Sequence, residues 1–381
     1  MSRPLRIAML AHSTHPRGGV VHAMSLCEAL NAEGLQATLH APDASGRGFF
    51  RAPKCETAPF GVAPAPRDTH AMVEQRIADY VNWFRRPENR GFDVYHAHDG
   101  ISGNALATLK AQALIPGFCR TVHHVDDFAD ARLAHLQERS IVEADALMVV
   151  SEEWRRRLKK DFGLDAEVGG NGVDSARFSP RRDASDAALA DRLRLRDGPV
   201  LLSVGGVEAR KNTIRILQAF GEIASAIPTA RLVIAGGASL LDHSRYDGAF
   251  RDALSCLGAR AARVMVTGPI DDADMPALYR RASVLVFASV KEGFGLCVLE
   301  ALASGTPVVA SRIPPFVDYL DRQDALWCDP YDLRSIADAT RSALLANFRT
   351  HGPDVAARFS WGAVARRHLP AYAALMESVN A

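Results

Sequence analysis

The segment 289–311 reads SVKEGFGLCVLEALASGTPVVAS, and the apolar runs at its two ends decide the fold. Residues 283–288 (SVLVFA) and 307–310 (PVVA) have the length and β-branched content of buried parallel strands. One short helix connects them. It is entered through Gly293, Phe294 and Gly295 and closed by Gly305, a residue able to take the left-handed conformation that helix C-termini often need. The entry glycines let a ligand approach the backbone, and free N–H groups of the first turn point at it. Such an N-terminus is an anion site, with phosphate its usual occupant. Glu292 precedes the turn and Glu300 lies inside the helix, with seven residues between them. Helical side chains lean toward their own N-terminus, so Glu300 reaches back toward a ligand bound there. A carboxylate beside a phosphate site suits neutral hydroxyls, as an acidic residue meets the ribose of a dinucleotide. The segment predicts a sugar-nucleotide site on an α/β sheet.

With 381 residues the chain is long enough for two domains, each able to bury a full core. Hydrophobic residues make up 48% and charged residues 23%, and the formal charge of +1 carries no electrostatic footprint for nucleic acid. Six cysteines (Cys27, Cys55, Cys119, Cys256, Cys297, Cys328) stand without Cys-x-x-Cys pairing or a companion histidine spacing suited to zinc, and read as reduced, buried thiols. The opening MSRPLRIAMLA is too short in apolar residues for a signal-peptide core, and no apolar run approaches membrane-spanning length. A cytoplasmic protein is expected.

Along the chain, residues 6–11 (RIAMLA) read as a strand, 12–19 as a loop, and Val20, Met24, Cys27 and Leu30 as one face of a helix that Gly34 stops. Residues 35–40 form a candidate second strand. Gly18 and Gly19 then fall at the C-terminal edge of a doubly wound sheet, where ligands bind, although no Gly-x-Gly-x-x-Gly fingerprint supports a dinucleotide. Residues 42–67 are rich in Pro and Gly and read as loop. Residues 68–86 read as an amphipathic helix ending in Trp83-Phe84-Arg85-Arg86. That ending suits either a peripheral membrane contact or, more simply, a helix face packed on the sheet. Residues 92–98, 119–122 and 146–150 are further strands ending in polar residues, the pattern of one functional edge, which makes His98, Asp99 and His123 candidates.

A polar, charged stretch places the domain boundary near residues 175–198. Strands at 199–205, 232–237, 263–268, 283–288 and 307–310 then alternate with helices, as in a second parallel sheet. Asn212 and Asp271 stand as N-caps there, a helix is expected over 336–348, and Pro370 should kink a final helix over 359–379.

The run EGFGLCVLEALASGTPVVAS, with Glu292 and Glu300 in place, resembles the paired-glutamate signature of GT-B glycosyltransferases of family 4, the group 1 type. The resemblance extends over essentially the whole chain. It implies two Rossmann-like, doubly wound parallel-sheet domains facing a cleft: an acceptor domain over 1–178, a nucleotide-sugar donor domain over 199–358, and a last helix over 359–381 returning to the first domain. It also implies a retaining transfer of a sugar from a nucleoside-diphosphate donor to a hydroxyl acceptor. Gly18 and Gly19 would face the donor phosphates. His123, in TVHHVDDF, would contact the donor sugar, and YHAHDG around His98 and Asp99 is similar to the family as well.

In the donor half, the resemblance assigns Gly205, Gly206, Arg210 and Lys211 of SVGGVEARKN to the donor, together with Gly293, Phe294, Gly295, Leu296 and Glu300. Arg210 and Lys211 would neutralise the departing diphosphate in place of a metal, and no cofactor or metal is expected. Glu292, His123, Lys211 and Arg210 are the expected catalytic set. One departure stands out: the family commonly has arginine where this chain has Gly206, a charge that Arg210 could supply instead. Acceptor choice is expected in residues 42–90. Three functions stay open, namely a retaining transferase, an epimerase or hydrolase of nucleotide sugars, and a non-catalytic sugar-nucleotide binder.

Overall fold

The computed structural model describes residues 3–195, 198–237, 244–345 and 351–380. They divide into two compact units, one of residues 1–172 with 361–381, the other of residues 173–360.

The first unit is built on β1 (Arg6–Leu10), β2 (Gln36–Asp43), β3 (Glu56–Gly61), β4 (Val94–Ala97), β5 (Cys119–Val122), β6 (Ala146–Val149) and β7 (Glu167–Val168). These form a seven-stranded sheet in the order β3-β2-β1-β4-β5-β6-β7, and every pairing is parallel. The helices are α1 (Gly18–Ala32), α2 (Thr69–Arg85), α3 (Gly100–Ala111), α4 (Ala131–Val142) and α5 (Glu152–Phe162), and the last helix of the chain joins them. Successive side chains of a strand point to opposite faces. Ile7, Met9 and Ala11 thus pack with α1 and the last helix, while Ala8 and Leu10 pack with α2 and α3. A strand buried on both faces can carry no polar alternation, and for that reason β1 is an unbroken apolar run.

The second unit holds β8 (Val200–Val204), β9 (Arg231–Ala235), β10 (Val264–Gly268), β11 (Val284–Phe287), β12 (Val308–Ser311) and β13 (Leu326–Cys328). Their order is β10-β9-β8-β11-β12-β13, again all parallel. Around them lie α6 (Ala184–Arg192), α7 (Thr213–Ala226), α8 (Ser244–Ser255), α9 (Met275–Arg281), α10 (Leu296–Ala303), α11 (Phe316–Tyr319), α12 (Leu333–Leu345) and α13 (Gly352–Ala357). The chain's last helix, α14 (Trp361–Asn380), belongs to the first unit and continues through Pro370. Both sheets are of the doubly wound type, with reversal of strand order beside β1 and beside β8.

Three local readings of the sequence are corrected. The stretch 42–67 is not loop throughout: β2 runs to Asp43, and 56–61 adds the edge strand β3, in register from Thr38–Glu56 to Asp43–Gly61. An edge strand containing Pro59 and burying only Phe60 has no apolar run to announce it. Asn212 occupies the N-cap position of α7 without capping it, because its amide donates instead to the carbonyls of Ala288 (2.9 Å) and Pro330 (2.7 Å). Asp271 likewise makes no side-chain cap, and precedes a 3-10 turn rather than α9. Residues 346–348 of the expected helix over 336–348 lie outside the described residues.

Trp83 and Phe84 at the end of α2 are internal. Phe84 is buried, while Trp83 stacks on Phe60 with ring centres 4.8 Å apart and donates from Nε1 to Nδ1 of His40. Only Arg85 and Arg86 of that quartet face outward. Among the described residues no helix is long and apolar enough to cross a membrane.

Candidate functional site

In the second unit, the loops after β8 and β11 lie side by side because the two strands are neighbours in a parallel sheet. They are laced together by backbone and side chain. Val290 N–H donates to the Arg210 carbonyl (3.0 Å), and the Asn212 amide holds the carbonyl of Ala288. Asn212 adopts a left-handed backbone (φ 60°) to do so.

This lacing brings Arg210, Lys211 and Glu292 together. Nζ of Lys211 lies 2.8 Å from Oε1 of Glu292, and a guanidinium nitrogen of Arg210 lies 2.8 Å from Oε2. Glu292 is buried at 7% exposure, and Glu208, buried at 5%, lies 3.6 Å from the other end of Arg210. Burial alone would raise the Glu292 carboxyl, but the charges of Lys211 and Arg210 and the hydrogen bond from Lys211 outweigh it and hold the group below the ordinary carboxylate value. Nζ of Lys211 also sits 4.4 Å from the centre of the Phe287 ring, a cation–π contact that fixes the ammonium from its other side. Two carboxylates and two cations balance, so the cluster is formally neutral.

The glycines explain the departure at position 206. Gly206 has φ 77°, and a Cβ there would come within 2.8 Å of the Gly237 carbonyl oxygen, so an arginine has neither the conformation nor the space. A Cβ on Gly205 would strike the Lys211 stem at 2.5 Å. The turn that positions Lys211 excludes the family's arginine. Arg210 reaches the same carboxylate from four residues on.

Glu300, on α10, is held separately. Its Oε2 accepts from the Tyr279 hydroxyl at 2.7 Å. Burial raises the Glu300 carboxyl, against the lowering influence of that hydrogen bond and of Arg177. Burial and the neighbouring carboxylate keep Tyr279 protonated well above the ordinary tyrosine value, so it donates at any physiological pH. The two glutamates are thus pushed in opposite directions, Glu292 toward the anion and Glu300 toward the neutral acid.

Gly295 enters α10 at φ 91°, with a Cβ excluded by Phe316 at 2.7 Å. Phe294 is packing rather than an exposed contact: it is buried, stacks on Tyr319 at 4.4 Å, and its carbonyl accepts from the Tyr319 hydroxyl. Leu296, the first residue of α10, is half-buried, as is Gly293.

In the first unit, β4 and β5 are adjacent and α1 follows β1 on the other side, so the C-terminal ends of the two strands and the N-terminal turns of α1 assemble a histidine cluster. The rings of His22 and His123 lie 4.7 Å apart, His22 and His98 5.3 Å, and His98 and His123 5.7 Å. Gly19 lies under His123, where a Cβ would be 3.7 Å from the ring, and Gly18 starts α1 with open space beside it. His22 Nδ1 is 2.7 Å from Asn171 Oδ1, and burial carries this imidazole down to about 3. Burial likewise pushes His98 and His123 well below the ordinary histidine value, so all three are neutral. Asp99 serves as the N-cap of α3, accepting from Ser102 N–H at 2.8 Å in a reciprocal capping box.

Four residues were not singled out by the sequence: His22, Asn171, Glu208 and Tyr279. His22 carried a signal, one helical turn beyond Gly18–Gly19. Tyr279 and Glu208 offered none, because their partners are remote or across a turn.

The model of "Glycosyl transferases group 1" matches residues 187–357, and that of "Glycosyltransferase Family 4" matches residues 16–177. A glycogen synthase of Mycobacterium tuberculosis is 30% identical over 296 residues, 72% of this chain, which spans 65% of the length of that relative. A D-inositol 3-phosphate glycosyltransferase of Xylanimonas cellulosilytica is 28% identical over 98% of this chain and 97% of its own. Among solved structures, Anabaena HepE in complex with UDP-glucose superposes with a TM-score of 0.75 at 16% identity, covering 98% of this chain and all of that one. With each Rossmann-like unit matched by its own family model, one after the other along the sequence, the chain belongs to the group 1 glycosyltransferases of GT-B fold.

Proposed function

We propose that the protein is a retaining glycosyltransferase that moves a sugar from a nucleoside-diphosphate donor to a hydroxyl acceptor. The second unit would take the donor and the first the acceptor, with residues 42–90 setting acceptor choice. The observation that carries this is the buried Glu292 carboxylate clamped by Lys211 and Arg210 beside the glycine entry to α10. A diphosphate arriving at that helix N-terminus would find two cations already positioned. The UDP-glucose held by the structurally similar HepE, and the sugar-transferring names of the relatives, support a nucleotide-sugar donor.

In this reading the bond from the anomeric carbon to the diphosphate oxygen breaks, and its electron pair goes to the diphosphate. Lys211 and Arg210 stabilise the charge as it grows. The acceptor oxygen enters from the face that the diphosphate leaves, and passes its proton to the leaving oxygen, so no protein base is needed and configuration is retained. Glu292 would then hold sugar hydroxyls as well as its two cations, Glu300 the ribose, and His123 the donor sugar. The leaving diphosphate needs no metal where two fixed cations already oppose it.

The test is turnover of a panel of nucleoside-diphosphate sugars with and without hydroxyl acceptors, with the anomer of the product read by NMR. Acceptor-dependent release of nucleoside diphosphate and an unchanged anomer are expected. Donor consumption without acceptor would favour a hydrolase or epimerase. Binding without turnover would favour a binder.

A further inference from the structure

We propose that Arg177, from outside the donor site, is a positioning residue that keeps Glu300 as the carboxylate the donor's ribose hydroxyls require. This rests on the reading of Glu300 as the ribose carboxylate. The observation is a continuous row of contacts from the start of the second unit to that group. Asp174 builds the entry turn: its carboxylate accepts from the N–H groups of Ala176 (3.0 Å) and Arg177 (3.1 Å), and its carbonyl from Phe178 N–H (2.8 Å). The Arg177 guanidinium lies 4.8 Å from the centre of the Phe178 ring and pairs with Oδ2 of Asp272 at 2.7 Å. Phe178 meets the Tyr279 ring edge-on at 5.8 Å, and the Tyr279 hydroxyl donates to Glu300.

Charge decides what Glu300 can accept. A protonated acid spends one oxygen as a donor, whereas a carboxylate accepts at both. Tyr279 already occupies Oε2, so the ribose needs the ionised form. Burial raises this carboxyl, the Tyr279 hydrogen bond and the Arg177 charge lower it, and the Asp272 charge raises it. Arg177 therefore acts twice in one direction. Its own charge favours the anion, and its pairing with Asp272 offsets the charge that opposes the anion.

The other charged groups around α10 are engaged elsewhere. On α9, Arg280 turns to Asp183 and Asp186, and Arg281 to the Leu195 carbonyl. In the 3-10 turn before α9, Asp274 pairs with Arg192. Asp354 of α13 is exposed beside His351, and β11 and β12 carry no titratable side chain. Ahead of α10, Glu292 is matched by Lys211 and Arg210. Within α10, burial pushes the Cys297 thiol up to about 12, so it stays neutral. Among the described residues, Arg177 is the cation that acts on Glu300.

The test follows the carboxyl and the ligand separately. Protein labelled with carbon-13 at the glutamate carboxyl is titrated by NMR, with Glu300→Gln identifying the signal. Kd for UDP-, ADP- and GDP-glucose is measured by calorimetry over the same pH range. In Arg177→Met, which keeps the stem over Phe178, the Glu300 midpoint should rise. Kd should begin to climb at a correspondingly higher pH than in the natural protein, by about 10-fold per pH unit below the midpoint. Arg177→Lys should stay close to the natural midpoint, and adding Asp272→Asn to Arg177→Met should restore it in part. A merely structural role would raise Kd alike at every pH and would not be relieved by Asp272→Asn. If Arg177→Met fails to fold, Asp272→Asn alone decides, and should lower the midpoint. An unmoved midpoint beside continued donor binding overturns the role of Arg177 and leaves the ribose reading standing. A midpoint that moves as expected, in a natural protein that binds none of the three sugars, overturns the ribose reading and the proposal with it.

Discussion

Nζ of Lys211 lies 2.8 Å from Oε1 of Glu292, and the same ammonium rests on the face of Phe287. Negative charge on a departing diphosphate makes such an ammonium worth more in the transition state than in the ground state. Lys211→Ala should therefore lower kcat by about 10²- to 10³-fold with a smaller change in donor affinity. Because Arg210 meets the other oxygen of the same carboxylate and no side chain fits at 206, Arg210→Ala should be nearly as damaging. Steady-state kinetics of both variants decide the matter. A harmless Arg210→Ala beside a crippled Lys211→Ala would mean that Arg210 does not stand in for the absent arginine.

The Tyr279 hydroxyl and Oε2 of Glu300 are 2.7 Å apart, which makes Tyr279 a positioning residue for that carboxyl. Tyr279→Phe keeps the ring, and its packing on Phe178, while removing one hydrogen bond. Donor Kd should rise by roughly 10-fold, and Glu300→Ala should raise it further, whereas Glu292→Ala should act mainly on kcat. Calorimetric titration with donor separates these effects. Equal, small changes in Glu292→Ala and Glu300→Ala would sink the division of roles.

Charge on the diphosphate is met by side chains in this proposal, so turnover in excess EDTA should equal turnover without it. A loss restored by magnesium would put a metal on the diphosphate.

Burial holds His22 and His40 at about 3 and His368 at about 4, against 6.5 in the unfolded chain. Between those values the unfolded chain binds protons that the native protein refuses. Stability is therefore full above pH 6.5 and falls as the pH drops below it. At pH 5.5 each such histidine costs about 1 kcal/mol. Urea unfolding at pH 7.5 and 5.5 should show this loss. His40→Gln, which keeps an acceptor for Trp83 but does not titrate, should reduce the difference by about 1 kcal/mol. Equal stability at the two pH values would contradict the buried neutral state.

The sequence by itself determined the two parallel sheets, because a strand buried on both faces must be an unbroken apolar run, and β1, β8, β9, β11 and β12 are such runs. It also determined the glycine entry to α10 and the pair Glu292 and Glu300, since these are local to one strand, turn and helix. The edge strand β3 was not legible, because a strand covered on one side needs no such run. What tertiary structure alone decided is which charged groups meet. Lys211 and Glu292 are 81 residues apart. Their contact follows from β8 and β11 being neighbours, a fact of topology that no local pattern encodes. The same holds for His22, which no local pattern singled out and whose ring meets those of the candidates His98 and His123 because α1 starts at the edge where β4 and β5 end. Asn212 shows the reverse case: its residue type promised a cap, and a pair of carbonyls just beyond β11 and β13 claimed its amide instead.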